Sequence, residues 1–527
     1  MAYNQIIKDI EKEMKINFLS SEPAFNDEVY VKVRREDFKN TCLLFHKKLK
    51  APVMMLFAVD ETQNKGMFKL YCVFESVQFK KWFFIVTEIP ENNPEYESLS
   101  SEMYSASLFE REIKEMFGLE PNLSPDSRRL NLHDEVWPEG SYPLRKSFDI
   151  KDIKESLKKE YVFRKTEGEG VFEVPVGPVH AGIIGPGHFR FSVAGEPIIN
   201  LEIRLVFTHR GVEKLFENKL PEECLKLSEC VSGDSVFAHS WAFCSAVEKI
   251  KVIKVAPKTN YQRAIFLELE RIYNHLTGIG GIAVDVGFSF PHAYASIMKE
   301  TVLSLNDKLT GSRYLKGINI IGGISKELSG NDTALLLETL KSLKKDFESL
   351  KKMLYANFTF MDRVETTGIL NKVIAQDVGI TGMAARASGI NRDLRKDFGA
   401  CYNKIEFNLP EQTKGDVLAR LNVRISEIEQ SILIIQQCVL LLNSADSSFN
   451  YELLLGNKFG LGYVEGWRGP VLYWLKINEA GLIDRCKIVD ASFHNWQGLS
   501  YCAPGNIVPD FPVCNKSFDL SYSGNDL

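Results

Sequence analysis

Two absences exclude whole classes of function. None of the ten cysteines lies three positions from another, so the chain has no CxxC pair, the usual way of placing two thiolates around one metal. This argues against a cysteine-held zinc ion, iron–sulfur cluster or nickel–iron centre. An excess of positive charge is also absent, because 64 Lys and Arg residues against 69 Asp and Glu residues leave a net charge of −5. A nucleic-acid backbone needs a basic surface, so we expect no nucleic-acid partner.

Long apolar segments are missing as well. Ser431–Leu442, one of the longest apolar runs, contains two glutamines and is shorter than the roughly 20 residues that span a bilayer. The N-terminal segment carries charges from Lys8 onward and lacks the apolar stretch of a signal peptide. We therefore expect a chain that remains inside the cell and has no membrane span of its own.

The composition that is present describes an ordinary folded protein. The 527 residues are 45% hydrophobic and 25% charged, which excludes a largely disordered or fibrous chain. At about 150 residues per domain, the length predicts two to four domains. Cysteines scattered through such a chain are expected to be free thiols.

The first 150 residues predict one α/β domain. Three runs rich in aromatic and β-branched residues indicate an antiparallel or mixed sheet, and they lie at 51–60, 68–76 and 80–89. Helical patterns flank these runs at Asn4–Ile16 and Leu108–Met116. The segment 151–172 follows, is dense in charge and ends in alternating Gly and Glu, which is typical of a connection between domains.

Residues 173–527 predict a second, mainly helical domain that begins with a small β-sheet. Gly195 and Glu196 lie between two alternating runs, as in a hairpin. Amphipathic patterns then predict long helices at 236–251, 260–278, 332–355 and 414–443. The fold class expected for the whole chain is therefore α+β.

Three polar motifs stand in the first domain. They read EREIKEMFG at 110–118, DSRRLNL at 126–132 and PLRKSF at 143–148. Alone, they indicate only a helix and a solvated arginine-rich loop. Together they resemble the signature of the small hydrophilic subunit of respiratory complex I, a domain that energy-converting hydrogenases share. The matching positions are Arg128, Arg129, Pro143, Leu144, Arg145 and Lys146.

Histidines cluster at the start of the second domain. Four occur within sixty residues, which favours a polar cavity without indicating a metal: His180, His188, His209 and His239. Further on, Glu268, Arg271 and His275 share one helical face. The simplest interpretation of this second group is a buried ion pair with a capping histidine.

The motifs of the second domain also carry a family resemblance. Together with GITGMAARASGINRDLRKDFG at 379–399 and EGWRG at 465–469, they resemble the large subunit of membrane-bound nickel–iron hydrogenases and its homologue in complex I. The resemblance covers nearly all of residues 173–527. The order of the two domains is similar to the formate hydrogenlyase type of large subunit and to the fused subunit of some bacterial complex I enzymes.

The sequence departs from this family where the metal is held. Hydrogenases of the family bind nickel through four cysteines, because nickel needs soft, deprotonated thiolates and a serine hydroxyl is a poor donor at neutral pH. The four corresponding positions here are Ser232, Ser235, Ser521 and Gly524. Cys230, which stands where the family has arginine, and Cys514 are not spaced to replace the lost thiols. We expect no metal site in this chain and, since it stops at Leu527, no C-terminal extension awaiting removal.

Other family positions have changed too. Gly185 stands where energy-converting hydrogenases have a proton-relay glutamate, and a carboxylate is needed to pass that proton. Ile184 and Gly233 stand where the complex I homologue has the histidine and tyrosine that bind a quinone head group. His180 or His188 remains available for a shifted ligand.

The resemblance leaves a cavity with several retained polar residues. Arg468 matches the arginine that leans over the metal in hydrogenases, although Trp467 replaces the usual proline before it. Asp519 is also retained, and it is the expected counter-charge of Arg468, since an unpaired buried charge would cost several kcal/mol. The candidate site residues are Arg468, Asp519, Arg386 and His180.

The resemblance implies a subunit of a membrane-bound redox assembly that couples electron transfer to ion translocation without its own nickel–iron site. No cofactor is expected in this chain, and an iron–sulfur cluster is expected in a small partner subunit. Antiporter-like and other membrane subunits would hold the chain at the cytoplasmic side of the cell membrane. Two alternatives stay open: a quinone-type reductase subunit with an altered pocket, and a redox-silent scaffold.

Overall fold

The fold is α+β, as predicted, in a computed structural model that describes residues 3–16, 18–153, 159–180, 184–399, 401–442, 444–446, 450–451 and 458–527. The helices are α1 (Tyr3–Met14), α2 (Arg35–Leu49), α3 (Thr62–Lys65), α4 (Ser107–Phe117), α5 (Val212–Phe216), α6 (Pro221–Ser228), α7 (Val236–Ile250), α8 (Pro257–Asp285), α9 (Ser289–Thr310), α10 (Gly330–Ala356), α11 (Phe358–Val364), α12 (Lys372–Asp377), α13 (Gly382–Ala387), α14 (Leu394–Asp397), α15 (Val417–Leu442), α16 (Ala491–Cys502), α17 (Phe511–Phe518) and α18 (Tyr522–Asp526). The strands are β1 (Ser20–Phe25), β2 (Glu28–Lys32), β3 (Met55–Asp60), β4 (Met67–Ser76), β5 (Lys81–Pro90), β6 (Glu95–Glu97), β7 (Glu120–Asn122), β8 (Val171–Val176), β9 (His188–Ala194), β10 (Ile198–Arg204), β11 (Ile253–Lys254), β12 (Asn319–Ile320), β13 (Gly323–Ile324), β14 (Asn450–Tyr451), β15 (Phe459–Glu465), β16 (Pro470–Ile477) and β17 (Ile483–Val489).

The N-terminal sheet has the strand order β1-β2-β5-β4-β3. The pairs among β3, β4 and β5 are antiparallel, as predicted, while β2 joins β5 in parallel, so the sheet is mixed. Every residue of β3 is buried, because helices cover one face of the sheet and a second sheet covers the other. Trp474 of that second sheet contacts Phe57 and Tyr71, with ring centroids 4.8 and 5.3 Å apart. The core of the first 150 residues therefore continues into the later part of the chain.

The second sheet, β15-β16-β17, was not predicted by the sequence patterns. Its strands are buried on both faces, between the N-terminal sheet and α7, so they lack the alternation that marks a half-buried strand. Gly462 allows the close approach of α7, since a Cβ atom there would lie 2.1 Å from the carbonyl oxygen of Ala242. The turn between β15 and β16 presents Arg468.

Helices dominate the rest of the fold. The predictions of α7, α10 and α15 are confirmed to within a few residues, and α8 is confirmed but continues beyond the predicted end at 278 to Asp285. The hairpin at Gly195 joins β9 to β10, with β8 completing a three-stranded sheet. Helix α8 lies at the centre and contacts α9, α15 and α17. Helix α9 was not predicted.

One described helix, α15, is long and apolar enough to cross a membrane by length and composition. Its burial against α8 accounts for that composition, and it places Arg420, Arg424 and Glu427 inside the fold. The segment expected to connect the domains, 151–172, contributes Tyr161, whose hydroxyl donates to Glu202 at 2.8 Å. Domain boundaries at 150 and 173 stay a prediction.

Candidate functional site

The four positions that correspond to nickel ligands converge at one place. Ser232 lies in the loop before α7 and Ser521 caps α18, and their Oγ atoms are 2.8 Å apart although 289 residues separate them. Ser521 also accepts a hydrogen bond from the amide of Gly524 at 2.9 Å. Ser235 is buried beside them. Hydroxyl groups that bond one another therefore lie at the positions that the resemblance matches to metal ligands.

A carboxylate that the sequence interpretation missed completes this group. Asp234 receives both Nη atoms of Arg468, at 2.7 and 2.6 Å, in the bidentate geometry that suits guanidinium and carboxylate. The Ser232 hydroxyl donates to the same carboxylate at 2.9 Å. Burial acts to lower the pKa of Arg468, but the Asp234 carboxylate outweighs it and holds the pKa above its usual value.

The expected pairing of Arg468 with the Asp519 carboxylate is wrong. Arg468 donates to the backbone carbonyl of Asp519 and not to its carboxylate. The side chain of Asp519 instead binds Lys516 at 2.7 Å and lies 4.0 Å from Arg424. Although burial acts to raise it, these cations lower the pKa of Asp519 to about 2. Asp519 adopts a left-handed backbone with φ of 57°, which turns its carbonyl toward Arg468 and its carboxylate toward Lys516.

The fourth ligand position has no room for a side chain. A Cβ atom on Gly524 would lie 2.8 Å from Cγ of Asp490. Asp490 is held by His239 at 3.0 Å and by the amide of Ser492 at 2.7 Å. Burial opposes ionisation, but the His239 contact lowers the pKa of Asp490 to about 2. A rigid ionised carboxylate therefore fills the space that a cysteine would need.

Gly524→Ala is expected to lower the free energy of unfolding by about 1–3 kcal/mol, because overpacking displaces a fixed side chain. The measurement is urea denaturation of the full chain. The matched control is Gly233→Ala, in the same site, where a Cβ atom meets nothing within 4 Å. Equal effects of the two substitutions would show that Asp490 moves freely.

Arg386 lies at the other end of a chain of buried charges. It donates to Glu427 at 2.7 and 3.0 Å and to Glu465 at 2.9 Å. The second oxygen of Glu427 binds His275 at 2.8 Å, and His275 contacts Arg424 at 3.1 Å. Contacts thus run without a break from Arg386 to Arg424, the neighbour of Asp519. The structure brings three of the four candidate residues into one connected network.

The predicted ion pair on α8 is confirmed, but the predicted capping role of His275 is wrong. Arg271 donates to Glu268 at 3.0 Å, with both side chains fully buried. His275 lies in the interior of α8 rather than at its end, and its partners come from α15. Burial lowers the pKa of His275 to about 4, so its imidazole is neutral near pH 7.

His180 lies apart from this network. Its Nε2 atom is 2.6 Å from the carbonyl oxygen of Gly187, in its own loop. The same loop packs on the last helix, since a Cβ atom on Gly185 would lie 2.6 Å from Cβ of Tyr522. A glutamate at that position would displace Tyr522. Ile184 is half exposed, and residues 181–183 of the loop lie outside the described residues.

The arginine-rich motifs of the first domain are not solvated, contrary to their simplest interpretation. Arg128 binds Glu202 at 2.6 Å and Lys146 binds Glu217 at 3.0 Å, and both carboxylates belong to the later part of the chain. Arg129 donates to the carbonyl of Trp137 at 2.9 Å. Arg128 and Lys146 therefore join segments that are distant in sequence.

The donors present do not fit a nickel–iron centre. The site offers three hydroxyl groups and one carboxylate already paired with Arg468, and no thiolate, which is the ligand that such a centre requires. Among the residues that the structure describes, no three His, Cys, Asp or Glu side chains are grouped as they would be around a metal ion. The cysteines are free thiols, as predicted.

Comparison with known proteins assigns the family. The chain is 33% identical to formate hydrogenlyase subunit 5 of Escherichia coli, over 90% of this chain and 84% of that protein. It is 32% identical to hydrogenase-4 component G of the same organism, over 90% and 83%. It is 27% identical to the fused C/D protein of the NADH-quinone oxidoreductase of Hydrogenobaculum sp., over 98% and 96%.

Family sequence models agree with these relatives. The respiratory-chain NADH dehydrogenase 30 Kd subunit matches residues 31–154, and the 49 Kd subunit matches residues 285–454. Both halves of the resemblance read from the motifs are therefore confirmed. The chain belongs to the family that unites formate hydrogenlyase subunit 5, hydrogenase-4 component G and the fused C/D proteins of NADH-quinone oxidoreductase, and it is a complex I-like oxidoreductase subunit.

Proposed function

We propose that this chain serves a membrane-bound redox complex without carrying a nickel–iron site, and that its buried charges link electron transfer to ion translocation in membrane partners. The absence of a nickel–iron site is supported by the Ser232–Ser521 hydrogen bond of 2.8 Å beside the Asp234–Arg468 ion pair. These contacts fill the position of the metal with groups that stabilise one another. The two charged groups beside the serines, Asp234 and Arg468, neutralise each other.

We also propose partner subunits for this chain and a location at the membrane. Each relative's name describes one subunit or component of a larger oxidoreductase, and this supports assembly with other chains. We infer an iron–sulfur small subunit as electron donor and antiporter-like membrane subunits as anchors on the cytoplasmic side. Affinity purification of the tagged chain from gently solubilised membranes tests this. Recovery of the chain alone would contradict it, whereas a fixed ratio of those partners supports it.

Protein purified without oxygen is expected to contain no stoichiometric nickel and to evolve no hydrogen from reduced methyl viologen. The reason is that three hydroxyls cannot replace four thiolates as ligands for nickel at neutral pH. Elemental analysis and gas chromatography provide the two measurements. A nickel-to-protein ratio near one would contradict the proposal, whatever the activity.

Arg468→Gln in the intact complex is expected to lower turnover by about tenfold or more while leaving assembly unchanged. The reason is that the substitution removes the fixed positive charge of the Arg468 guanidinium from the candidate site. Asp234, the partner left behind, is 43% exposed, so water can solvate it and folding should survive. Oxidation of reduced methyl viologen with a soluble quinone as acceptor measures the turnover.

The control for Arg468 is Arg363→Gln, another arginine that pairs with one aspartate, Asp510. Turnover that is unchanged in Arg468→Gln, with the same partners still co-purifying, would favour the redox-silent scaffold. Loss of this quinone-dependent turnover, with the same partners still co-purifying, would contradict the redox-silent scaffold.

A further inference from the structure

A cavity lies between the N-terminal sheet and the loops that follow α12 and α13. Its volume is about 350 Å³, which lies in the range of small-molecule binding sites. Residues from both parts of the chain line it, including Met54 and Glu75 on one side and Ile380 and Leu394 on the other. It is distinct from the serine cluster at Ser232, which contributes no residue to its wall.

Glu75 and Arg392 form a loose ion pair in the wall, and one atom of each has no hydrogen-bond partner among the described residues. Oε1 of Glu75 and Nη1 of Arg392 are both buried and accept or donate no hydrogen bond there. Glu75 is 3% exposed, and its Oε2 lies 3.9 Å from Nη1 of Arg392, too far for a hydrogen bond between them. Buried groups in proteins are normally paired, so this acceptor and this donor call for a partner inside the cavity.

The arrangement of charge and apolar surface indicates the shape of that partner. Pro52, Ile380 and Leu394 provide flat apolar walls beside the acceptor and the donor. Glu75 and Arg392 stand together, so they match a planar edge that carries a donor next to an acceptor, as the edge of a nitrogen heterocycle does. Burial raises the pKa of Glu75 to about 7, and a ligand donor would favour its ionised form.

Cations also line the cavity. Lys47 and Lys50 are exposed and line its rim at the end of α2, together with His46. Arg392 also donates from Nη2 to the carbonyl of Lys50 at 2.9 Å, which holds the end of α2 beside Glu75 and Arg392. The cavity thus has a buried carboxylate beside a guanidinium, apolar side chains in its wall, and two exposed lysines at its rim. A phosphate suits a rim of this kind, where lysines act as point charges.

We propose that the cavity binds a mononucleotide, with its heterocycle edge at Glu75 and Arg392 and its phosphate at Lys47 and Lys50. The proposal is independent of electron transfer and of the missing metal. It concerns residues on both sides of the domain contact, so the ligand would also hold the two parts of the chain together. A nucleotide whose base edge donates hydrogen bonds to Glu75 is expected to bind more tightly than one whose base edge has no donor.

Isothermal titration of the full chain with AMP, GMP and FMN tests the proposal, with ribose 5-phosphate as the comparison that has a phosphate and no heterocycle. At least one nucleotide is expected to bind about tenfold or more tightly than ribose 5-phosphate. Glu75→Gln and Lys50→Gln are each expected to weaken that nucleotide by about tenfold, since each removes a charged contact. The matched control, Glu479→Gln, removes an exposed carboxylate that pairs with Lys458 and should change nothing.

A second measurement on the unsubstituted chain covers the case in which a variant does not fold. Acylation of Lys47 and Lys50, followed by mass spectrometry, is expected to slow in the presence of the bound nucleotide. Lys414, which is 63% exposed and pairs with Glu365, serves as the reference site. The proposal is overturned if no nucleotide exceeds ribose 5-phosphate in affinity, or if neither the two variants nor the lysine protection respond. In that case solvent satisfies Glu75 and Arg392.

Discussion

Replacing Glu427 by glutamine is expected to lower the free energy of unfolding by about 3–5 kcal/mol at neutral pH, because it leaves buried positive charge without its counter-charge. Glu427 binds Arg386 through one oxygen, and His275 and Arg271 through the other. All four side chains are fully buried. Glutamine keeps the size but offers one neutral oxygen. Urea denaturation followed by circular dichroism measures the loss.

The effect of this substitution should depend on pH. Burial acts to raise the pKa of Glu427, but Arg386 and His275 hold it well below the ordinary value of 4.5. A carboxyl whose pKa is lower in the folded state stabilises the fold above its unfolded pKa, and this contribution fades as pH falls below that value. The difference between the native chain and Glu427→Gln is therefore expected to be constant above about pH 5 and to shrink below about pH 4.

The matched control lies two residues further along the same helix. Glu429 pairs with Lys351, and both side chains are partly exposed, at 33% and 22%. Glu429→Gln should cost no more than about 1 kcal/mol, since exposed ion pairs contribute little. A loss for Glu427→Gln no larger than for Glu429→Gln would show that the buried network does not stabilise the fold as inferred.

Lys487→Met is expected to cost about 3–5 kcal/mol as well, and to weaken the contact between the N-terminal sheet and the rest of the chain. Lys487 lies in β17, is 1% exposed, and binds Glu112 of α4 and, at 3.1 Å, Glu213 of α5. Glu213 keeps Arg485 at 2.7 Å, but Glu112 loses the cation bound to it. The substitution therefore leaves an uncompensated buried carboxylate at the junction.

A double-mutant cycle identifies the cause of that loss. Adding Glu112→Gln to Lys487→Met should restore most of the lost stability, because the orphaned charge is then removed. Lys458→Met is the control, since Lys458 is 57% exposed, precedes the same sheet and pairs with Glu479. If the double substitution is as unstable as the single one, lost packing around Lys487 rather than the charge of Glu112 is responsible.

Several elements could be predicted from local patterns alone. Strands β3, β4 and β5 are dense in aromatic and β-branched residues, and α8, α10 and α15 repeat apolar residues at helical spacing. The sheet β15-β16-β17 was missed because burial on both faces removes the alternation that identifies a strand. Its strands nevertheless provide Trp474 for the contact between domains and present Arg468 to the site.

The sequence identified most of the residues of the candidate site but did not identify which of them pair with one another. Arg468, Asp519 and Arg386 were singled out and lie in one network, yet Asp234 was overlooked. A signal for it was present, since an aspartate between the two serines of CVSGDSVFAH places a charge inside the motif that was singled out for its predicted ligand positions. A buried arginine nearby needed that charge.

The residue types alone set which donors are present at the four predicted ligand positions, because a serine or glycine in place of cysteine changes the donor wherever the backbone lies. The sequence also determined the family, through motifs whose residues are adjacent along the chain. Which charges pair depends on the tertiary fold. Arg468 binds Asp234 across 234 residues and leaves Asp519 to Lys516, because the path of the backbone, and not the residue types, sets the few ångströms over which buried charges interact.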